Sequence, residues 1–219
     1  MGLSIVNLVL GTDSGIAGRK VLMTGANGAY GSVMKTRLEA LGAEVATAKS
    51  GVDFTPGHYE PMREKLQWAD LLVLAHGSRT LDCWNANYTT FVDLIETFVA
   101  IGRDRPSPPE VWAIGCEAEI FARAGKLQVQ DYAKSKRAFM ARSRGFNRSS
   151  KLIYRHIVPS NFTSSGGRGL MSAETAVAVS LFFLRRGFAY VPVTYTTLAL
   201  WNYLPFRFGP TKDPQQPAE

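Results

Sequence analysis

The sequence predicts an α/β domain of the doubly wound kind, a mostly parallel sheet between two layers of helices. Three observations predict it. Short apolar runs alternate with longer segments of helical spacing along the 219 residues. The first run, Lys20-Val-Leu-Met-Thr24, leads straight into a glycine-rich turn, Gly25-Ala-Asn-Gly28-Ala-Tyr-Gly31. No internal repeat divides the chain, and its length suits one domain with a full core.

The elements follow in order. Lys20–Thr24 is the first strand. Residues 32–41 carry Val33, Met34, Leu38 and Leu41 at helical spacing, and Gly42 stops that helix. Glu44–Ala48 is the second strand, so residues 20–48 form a βαβ unit, the setting a Rossmann-type glycine turn requires. Residues 70–75 make a strand buried on both faces, ending at His76-Gly77. Residues 87–101 predict a long helix with Phe91, Leu94, Ile95 and Phe98 inward, after which Pro106, Pro108 and Pro109 break the chain. Residues 111–115 are a strand, 130–142 a helix and 152–158 a strand, followed by a polar loop over 159–169. Ser172 is placed to cap the next helix, with Glu174 in its first turn and its end near Arg186. Residues 189–193 form the last strand. The expectation is one Rossmann domain over 1–219, three-layered α/β/α, with its core at about 18–193, an apolar segment at 188–208 and a disordered tail at 210–219.

Composition narrows the function. Hydrophobic residues make up 46% and charged residues 20%, as in an ordinary globular protein. Two cysteines, Cys83 and Cys116, give neither a disulfide framework nor metal spacing, which suggests a reducing, cytoplasmic setting. His58, His76 and His156 are scattered, so no metal site is expected. The net charge of +7 is concentrated in residues 132–159, which hold eight bases and no acid. That stretch reads either as a solvated helix end and loop or as a region drawn to an anionic membrane surface or substrate. No reader motif accompanies it, so nucleic acid is not an expected partner.

Residues 1–10 are apolar but lack the basic flank of a signal peptide, and Val6 stands where myristoylation favours Ser or Thr. Residues 188–206 are uncharged, but Pro192, Pro205, Thr194, Thr196 and Thr197 make a spanning helix poor. A strand and a closing helix are expected there, with Tyr195, Trp201 and Tyr203 suited to peripheral membrane contact.

The candidate chemistry lies at two places. Gly25, Gly28 and Gly31, with Asn27 and Tyr30 among them, let the backbone approach a pyrophosphate at a helix N-terminus. Where an NAD site would put an acid on the ribose, about twenty residues on, stands Lys49. A lysine attracts a 2′-phosphate, which favours NADP over NAD. Tyr132 and Lys136 lie four apart on one helix face. A phenol beside an ammonium has its pKa drawn down and can exchange a proton with a hydroxyl or carbonyl.

The glycine turn, the Tyr132-x-x-x-Lys136 pair and Asn87 together resemble the short-chain dehydrogenase/reductase family, over roughly residues 18–193. The resemblance implies NADP or NAD as cofactor, Tyr132 as acid/base, Lys136 as its tuner and a contact to the nicotinamide ribose, and Asn87 as support for a proton relay. The family serine upstream of the tyrosine is replaced by Cys116, a weaker donor. The usual Asn-Asn-Ala-Gly stretch is replaced by Leu74-Ala-His-Gly77, which carries His76 and Gly77 over as cofactor contacts. The chain is thus an atypical member by pattern. Gly169-Leu-Met-Ser-Ala-Glu174 and Tyr190-Val-Pro-Val-Thr-Tyr195 further resemble the reductase-like proteins related to monoglucosyldiacylglycerol epimerase, which implies a lipid-linked substrate near a membrane. Helices like the one bearing Tyr132 often pair in the family, implying a homodimer, although the positive charge after Tyr132 opposes it. Three readings stay open: a hydroxyl/carbonyl oxidoreductase, a glycolipid epimerase that retains its NAD(P), and a catalytically weak nucleotide-binding scaffold.

Overall fold

A computed structural model describes residues 15–80, 82–101, 107–120, 127–164 and 168–211. The apolar run 1–10, Pro106 and most of the tail 210–219 lie outside the described residues.

The strands are β1 (Lys20–Thr24), β2 (Glu44–Ala48), β3 (Leu71–Leu74), β4 (Glu110–Ile114), β5 (Ile153–Pro159) and β6 (Tyr190–Val193). They form one sheet in the order β2-β1-β3-β4-β5-β6, and every pairing is parallel. The helices are α1 (Ala29–Ala40), α2 (Arg63–Trp68), α3 (Thr90–Ala100), α4 (Leu127–Arg148), α5 (Ala173–Leu184), α6 (Leu198–Trp201) and α7 (Tyr203–Phe208).

Alternate strand residues feed two cores. Leu22, Leu72, Leu74, Val111 and Ala113 pack with Phe91, Leu94 and Phe98 of α3 and Phe139 of α4. Their neighbours Val21, Met23, Leu71, Val73 and Trp112 pack with Met34 and Leu38 of α1 and Val177 and Leu181 of α5. The period of two sends successive side chains to opposite faces, and both faces are covered. That is why these strands read as unbroken apolar runs. Ser172 caps α5 as expected, accepting from the Thr175 amide at 3.2 Å.

Helix α4 runs to Arg148, beyond the expected end at 142. Met140, Ser143 and Phe146 are buried, and Arg148 donates to the carbonyls of Arg207 and Gly209. Packing on α7 therefore sustains the last turns. The basic stretch of 132–159 is not one surface field. Lys136 is buried at the candidate site, Arg142 pairs with Glu96, and Arg155 is buried against Glu110. Each of those acids lies far away in sequence. The apolar segment after β6 folds into α6 and α7. Among the described residues, no helix is long and apolar enough to cross a membrane.

Glu110 is the hinge of the buried charge. It accepts from Arg155, from Arg19 at 2.7 Å and from the Trp112 indole at 2.7 Å. Burial alone would raise its carboxyl, but Arg155 and Arg19 outweigh that and hold it below its ordinary value. A depressed folded pKa means the contribution is complete above the unfolded value near ~4.3 and is lost as pH falls through the folded value. Glu110→Gln should lower the unfolding free energy at pH 7 by roughly 3 kcal/mol, because two arginines lose their counter-charge. Urea unfolding between pH 7 and 3 should show a smaller acid-induced loss in the variant than in the wild type.

Candidate active site

The chain reverses its direction across the sheet beside β1, which has β2 on one side and β3 on the other. A crevice opens at the C-terminal strand ends of such a reversal. The glycine turn sits there. A Cβ on Gly25, whose φ is +70°, would lie 2.4 Å from the Ala75 carbonyl carbon, and one on Gly31 would lie 2.0 Å from the Gly25 oxygen. Both glycines are therefore demanded by the packing of the turn on itself and on the end of β3. Gly28 differs: a Cβ there would meet the Gly25 oxygen at 3.4 Å, an ordinary contact. The protein does not need that position bare, whereas a close ligand would. Gly28 starts α1 with no side-chain cap, and no acid lies in the first turn. Such an open helix start offers amide donors and a positive dipole end to an anion, so these residues fit a dinucleotide's diphosphate.

The other candidate cofactor residues fall differently. Asn27 is exposed on the turn. Tyr30 is buried, and its hydroxyl donates to Ser180 of α5 at 2.7 Å. It pins α1 to α5, and burial pushes its phenol up. Lys49 is exposed just past β2, and its amide is held by Asp53 at 2.8 Å. The Asp53 carboxylate is itself engaged by Lys65 at 2.7 Å. Gly77 packs against Asn87, whose Oδ1 would lie 2.7 Å from an added Cβ. His76 corrects the expectation of a cofactor contact through its ring. Its Nδ1 lies 2.7 Å from the Thr24 hydroxyl and its Nε2 2.9 Å from that of Thr90. Thr90 donates onward to the Asn85 carbonyl at 2.9 Å and Thr24 to the Val73 carbonyl at 3.3 Å, so both ring nitrogens sit in a closed hydroxyl network. The imidazole is a structural strut between β1 and α3.

Tyr132, Lys136, Cys116 and Asn87 do converge, on one cavity of about 370 Å³. Cys116 caps a short 3₁₀ turn (Glu117–Glu119) after β4, and its Sγ lies 3.3 Å from Tyr132 Oη. Lys136, 4% exposed, donates to the Ile114 carbonyl at 3.4 Å and lies 5.1 Å from the Phe91 ring centre. Asn87 is fully buried inside a π turn (Asn85–Thr89), not at a helix cap. Its amide donates to the Ser78 carbonyl at 2.7 Å and to Ser135 Oγ at 3.2 Å, while its oxygen accepts the Ser78 amide at 3.1 Å. It clamps the loop after β3 onto α4.

Beneath Cys116 lies a fully buried carboxylate. Glu119 Oε1 accepts the Cys116 amide at 3.1 Å, and Oε2 meets His156 Nε2 of β5 at 2.9 Å. The other ring nitrogen of His156 lies 3.0 Å from the Tyr154 hydroxyl, and its face stacks on Phe206 of α7 at 5.0 Å.

The electrostatics reverse one expectation. The Tyr132 phenol is pushed well above its ordinary value, first by burial and then by Cys116. Arg79, whose guanidinium lies 5.5 Å from the Tyr132 ring centre, pulls the other way. Lys136 is directed at the Ile114 carbonyl, and the groups whose pKa it lowers are Cys116 and His76. Burial nevertheless leaves the Cys116 thiol raised. The phenol thus stays protonated, and Arg79 is the cation that acts on it. Ser135 and Arg79 were not singled out from the sequence. Ser135 was within reach, one turn from Tyr132 on the same helix. Arg79 lies in a loop where no spacing rule applies.

By sequence, no family model and no curated protein matches the chain. By fold, the chain is similar to a short-chain dehydrogenase from Burkholderia cenocepacia in complex with NADP, at 13% identity and a TM-score of 0.63, covering 88% of this chain and 95% of that one. It is also similar to a short-chain dehydrogenase from Sphingobium yanoikuyae in complex with NADPH, at 17% identity and a TM-score of 0.62, covering 91% and 97%. The bulky-bulky ketone specific alcohol dehydrogenase from Comamonas testosteroni matches at 14% identity and a TM-score of 0.61, covering 85% and 90%.

The strut gives the site its own pH dependence. Burial first, and Lys136 second, lower the His76 pKa from 6.5 to about 3. The neutral ring's contribution is complete above the unfolded value of 6.5 and is lost progressively as pH falls towards about 3, because only the unfolded chain takes up the proton there. His76→Gln should be less stable at pH 7 by roughly 1–3 kcal/mol, since one threonine hydroxyl loses its partner. Its stability should fall less steeply than the wild type's from pH 6.5 down, as read by denaturant unfolding at each pH.

Proposed function

We propose that the protein is an NAD(P)-dependent oxidoreductase interconverting a hydroxyl and a carbonyl, with its resting site set for carbonyl reduction. The observation that carries this is the contact between a protonated Tyr132 phenol and the Cys116 thiol, in a cavity beside an uncapped glycine turn. The fold it shares with dehydrogenases that hold NADP or NADPH supports the same reading. When bound, the dinucleotide supplies or accepts a hydride at the carbon carrying the reacting oxygen.

The chain's own residues do the rest. A carbonyl oxygen between Tyr132 Oη and Cys116 Sγ meets two donors, a phenol and a weaker thiol. Tyr132 delivers the proton as negative charge grows on that oxygen. Lys136 keeps a positive charge beside Cys116 in a site largely shielded from water, which favours that growth. Asn87 and Ser135 hold the loop carrying Arg79 and the helix carrying Tyr132 in register. The Lys49 ammonium at the end of β2 favours NADP over NAD. Leu200, Trp201, Leu204 and Phe208, all exposed on α6 and α7, favour a lipid-linked substrate met at a membrane surface.

Fluorescence titration with NADPH and NADH tests the cofactor. NADPH should bind more tightly, and Gly28→Asp should weaken it at least about tenfold, since the added carboxylate faces the phosphates without disturbing the turn. Absence of binding by either nucleotide sinks the proposal. With a ketone substrate, Tyr132→Phe should lower kcat by about 10²–10⁴-fold, and Cys116→Ser should raise it several-fold. Nucleotide binding with no turnover would instead support a binding protein. Sedimentation with anionic vesicles separately checks the surface: binding should fall in Trp201→Ser/Phe208→Ser.

A further inference from the structure

Glu117 follows Cys116 directly and lines the same cavity, with 9% of its surface exposed. Two hydroxyls, those of Thr194 and Thr196, both donate to its Oε1. Behind them the buried Ser160 hydroxyl donates to Thr194 at 3.0 Å. This arrangement fixes the carboxylate's orientation with three neutral groups. Among the described residues, no lysine, arginine or histidine pairs with it. Among the described residues, hydrogen bonds reach only Oε1, and Oε2 is not among the sealed polar atoms. The open space beside this residue is the cavity itself.

A carboxylate offers about four acceptor sites, and only those on one oxygen are used. The other oxygen opens onto the cavity, where a ligand's donor can take the place of water. The donor must suit the rest of the cavity. Lys136 and Arg79 line it too, so a cationic group would meet like charge. A neutral hydroxyl meets no such penalty.

We propose that Glu117 Oε2 accepts a hydrogen bond from a substrate hydroxyl next to the reacting carbon. The favoured substrates are then vicinal diols and their hydroxy-ketones, the pattern of sugars and polyols. Glu117 and Cys116 are adjacent residues, so their Cα atoms lie about 3.8 Å apart. The acceptor for the second hydroxyl therefore neighbours the donor to the first oxygen. This rests on the oxidoreductase reading only in placing the reacting oxygen at Tyr132 and Cys116.

The test compares 2-hydroxycyclohexanone with cyclohexanone as substrates in the presence of NADPH. It also compares the binding of cis-1,2-cyclohexanediol, cyclohexanol and 2-aminocyclohexanol by ligand-observed NMR. The hydroxy-ketone should be favoured at least about tenfold in kcat/KM, the effect of a hydrogen bond to a charged acceptor. That ratio should approach one in Glu117→Leu and fall to an intermediate value in Glu117→Gln, which keeps a neutral acceptor. Circular dichroism and NADPH titration confirm that each variant is folded. Equal use of the two ketones by the wild type overturns the proposal. So does a preference that survives in both variants, or tighter binding of the amine than of the diol. If neither ketone is reduced, the NMR ratio decides: diol preference lost in Glu117→Leu upholds the subsite while the oxidoreductase reading fails, and equal binding of diol and cyclohexanol overturns the subsite.

Discussion

The buried Glu119 carboxylate is the contact on which the site's shape depends. One oxygen takes the Cys116 amide and the other takes His156, with no exposure to solvent on either side chain. The first bond fixes where the chain leaves β4, and so where the thiol meets the Tyr132 hydroxyl. The second ties that point to β5. His156 then stacks on Phe206 and Tyr190, which places α7 against the far side of the same ring. Asn202, buried between α6 and α7, donates to Tyr190 at 3.1 Å and completes the link. The closing helices thus belong to the support of the site as well as to its edge. A defect in Glu119 would be felt at both ends, because it holds both the Nε2 side of His156 and the Cys116 amide.

A second constraint is the division of work between two cations. Lys136 was expected beside the phenol, yet its ammonium is drawn to the Ile114 carbonyl and the face of Phe91. From there it acts on the Cys116 thiol and on His76. Arg79 approaches the phenol instead, from a loop that Asn87 holds by both faces of its amide. The phenol keeps its proton and the thiol keeps its own, so the resting cavity presents two neutral donors. Glu117 adds an acceptor one residue away. A donor pair beside an acceptor is the complement of an oxygen flanked by a hydroxyl.

Much of the fold was legible in the sequence because its signals are local. The two-sided burial of the sheet made residues 70–75 and 111–115 continuous apolar runs, and the βαβ context made the glycine turn readable. Tyr132, Lys136, Cys116 and Asn87 could be grouped from the sequence, and share one cavity, because spacing on one helix and order along the chain both survive folding. What failed depended on distant partners. The bases of 132–159 looked like a field because Glu96 and Glu110, which neutralise two of them, lie more than a helix away. His76 looked available until Thr24 and Thr90 took both its nitrogens. Glu117 carried no signal at all, since its meaning comes from threonines that follow a different strand.

The burial of Lys136 bears on whether this site is a relic. An ammonium 4% exposed gives up nearly all its water, at a cost of several kcal/mol. Among the described residues it has in return one carbonyl at 3.4 Å and an aromatic face at 5.1 Å, both weak compensation. A fold kept only as a scaffold would gain nothing from an ammonium buried against the Phe91 ring. Strain of this kind persists where the rest of the structure over-determines it, and it concentrates at sites that act. Glu117 is a carboxylate that, among the described residues, has hydroxyl donors but no counter-ion. Two charges of opposite sign on the wall of one cavity, each with only neutral partners among the described residues, suit a polar ligand better than packing alone.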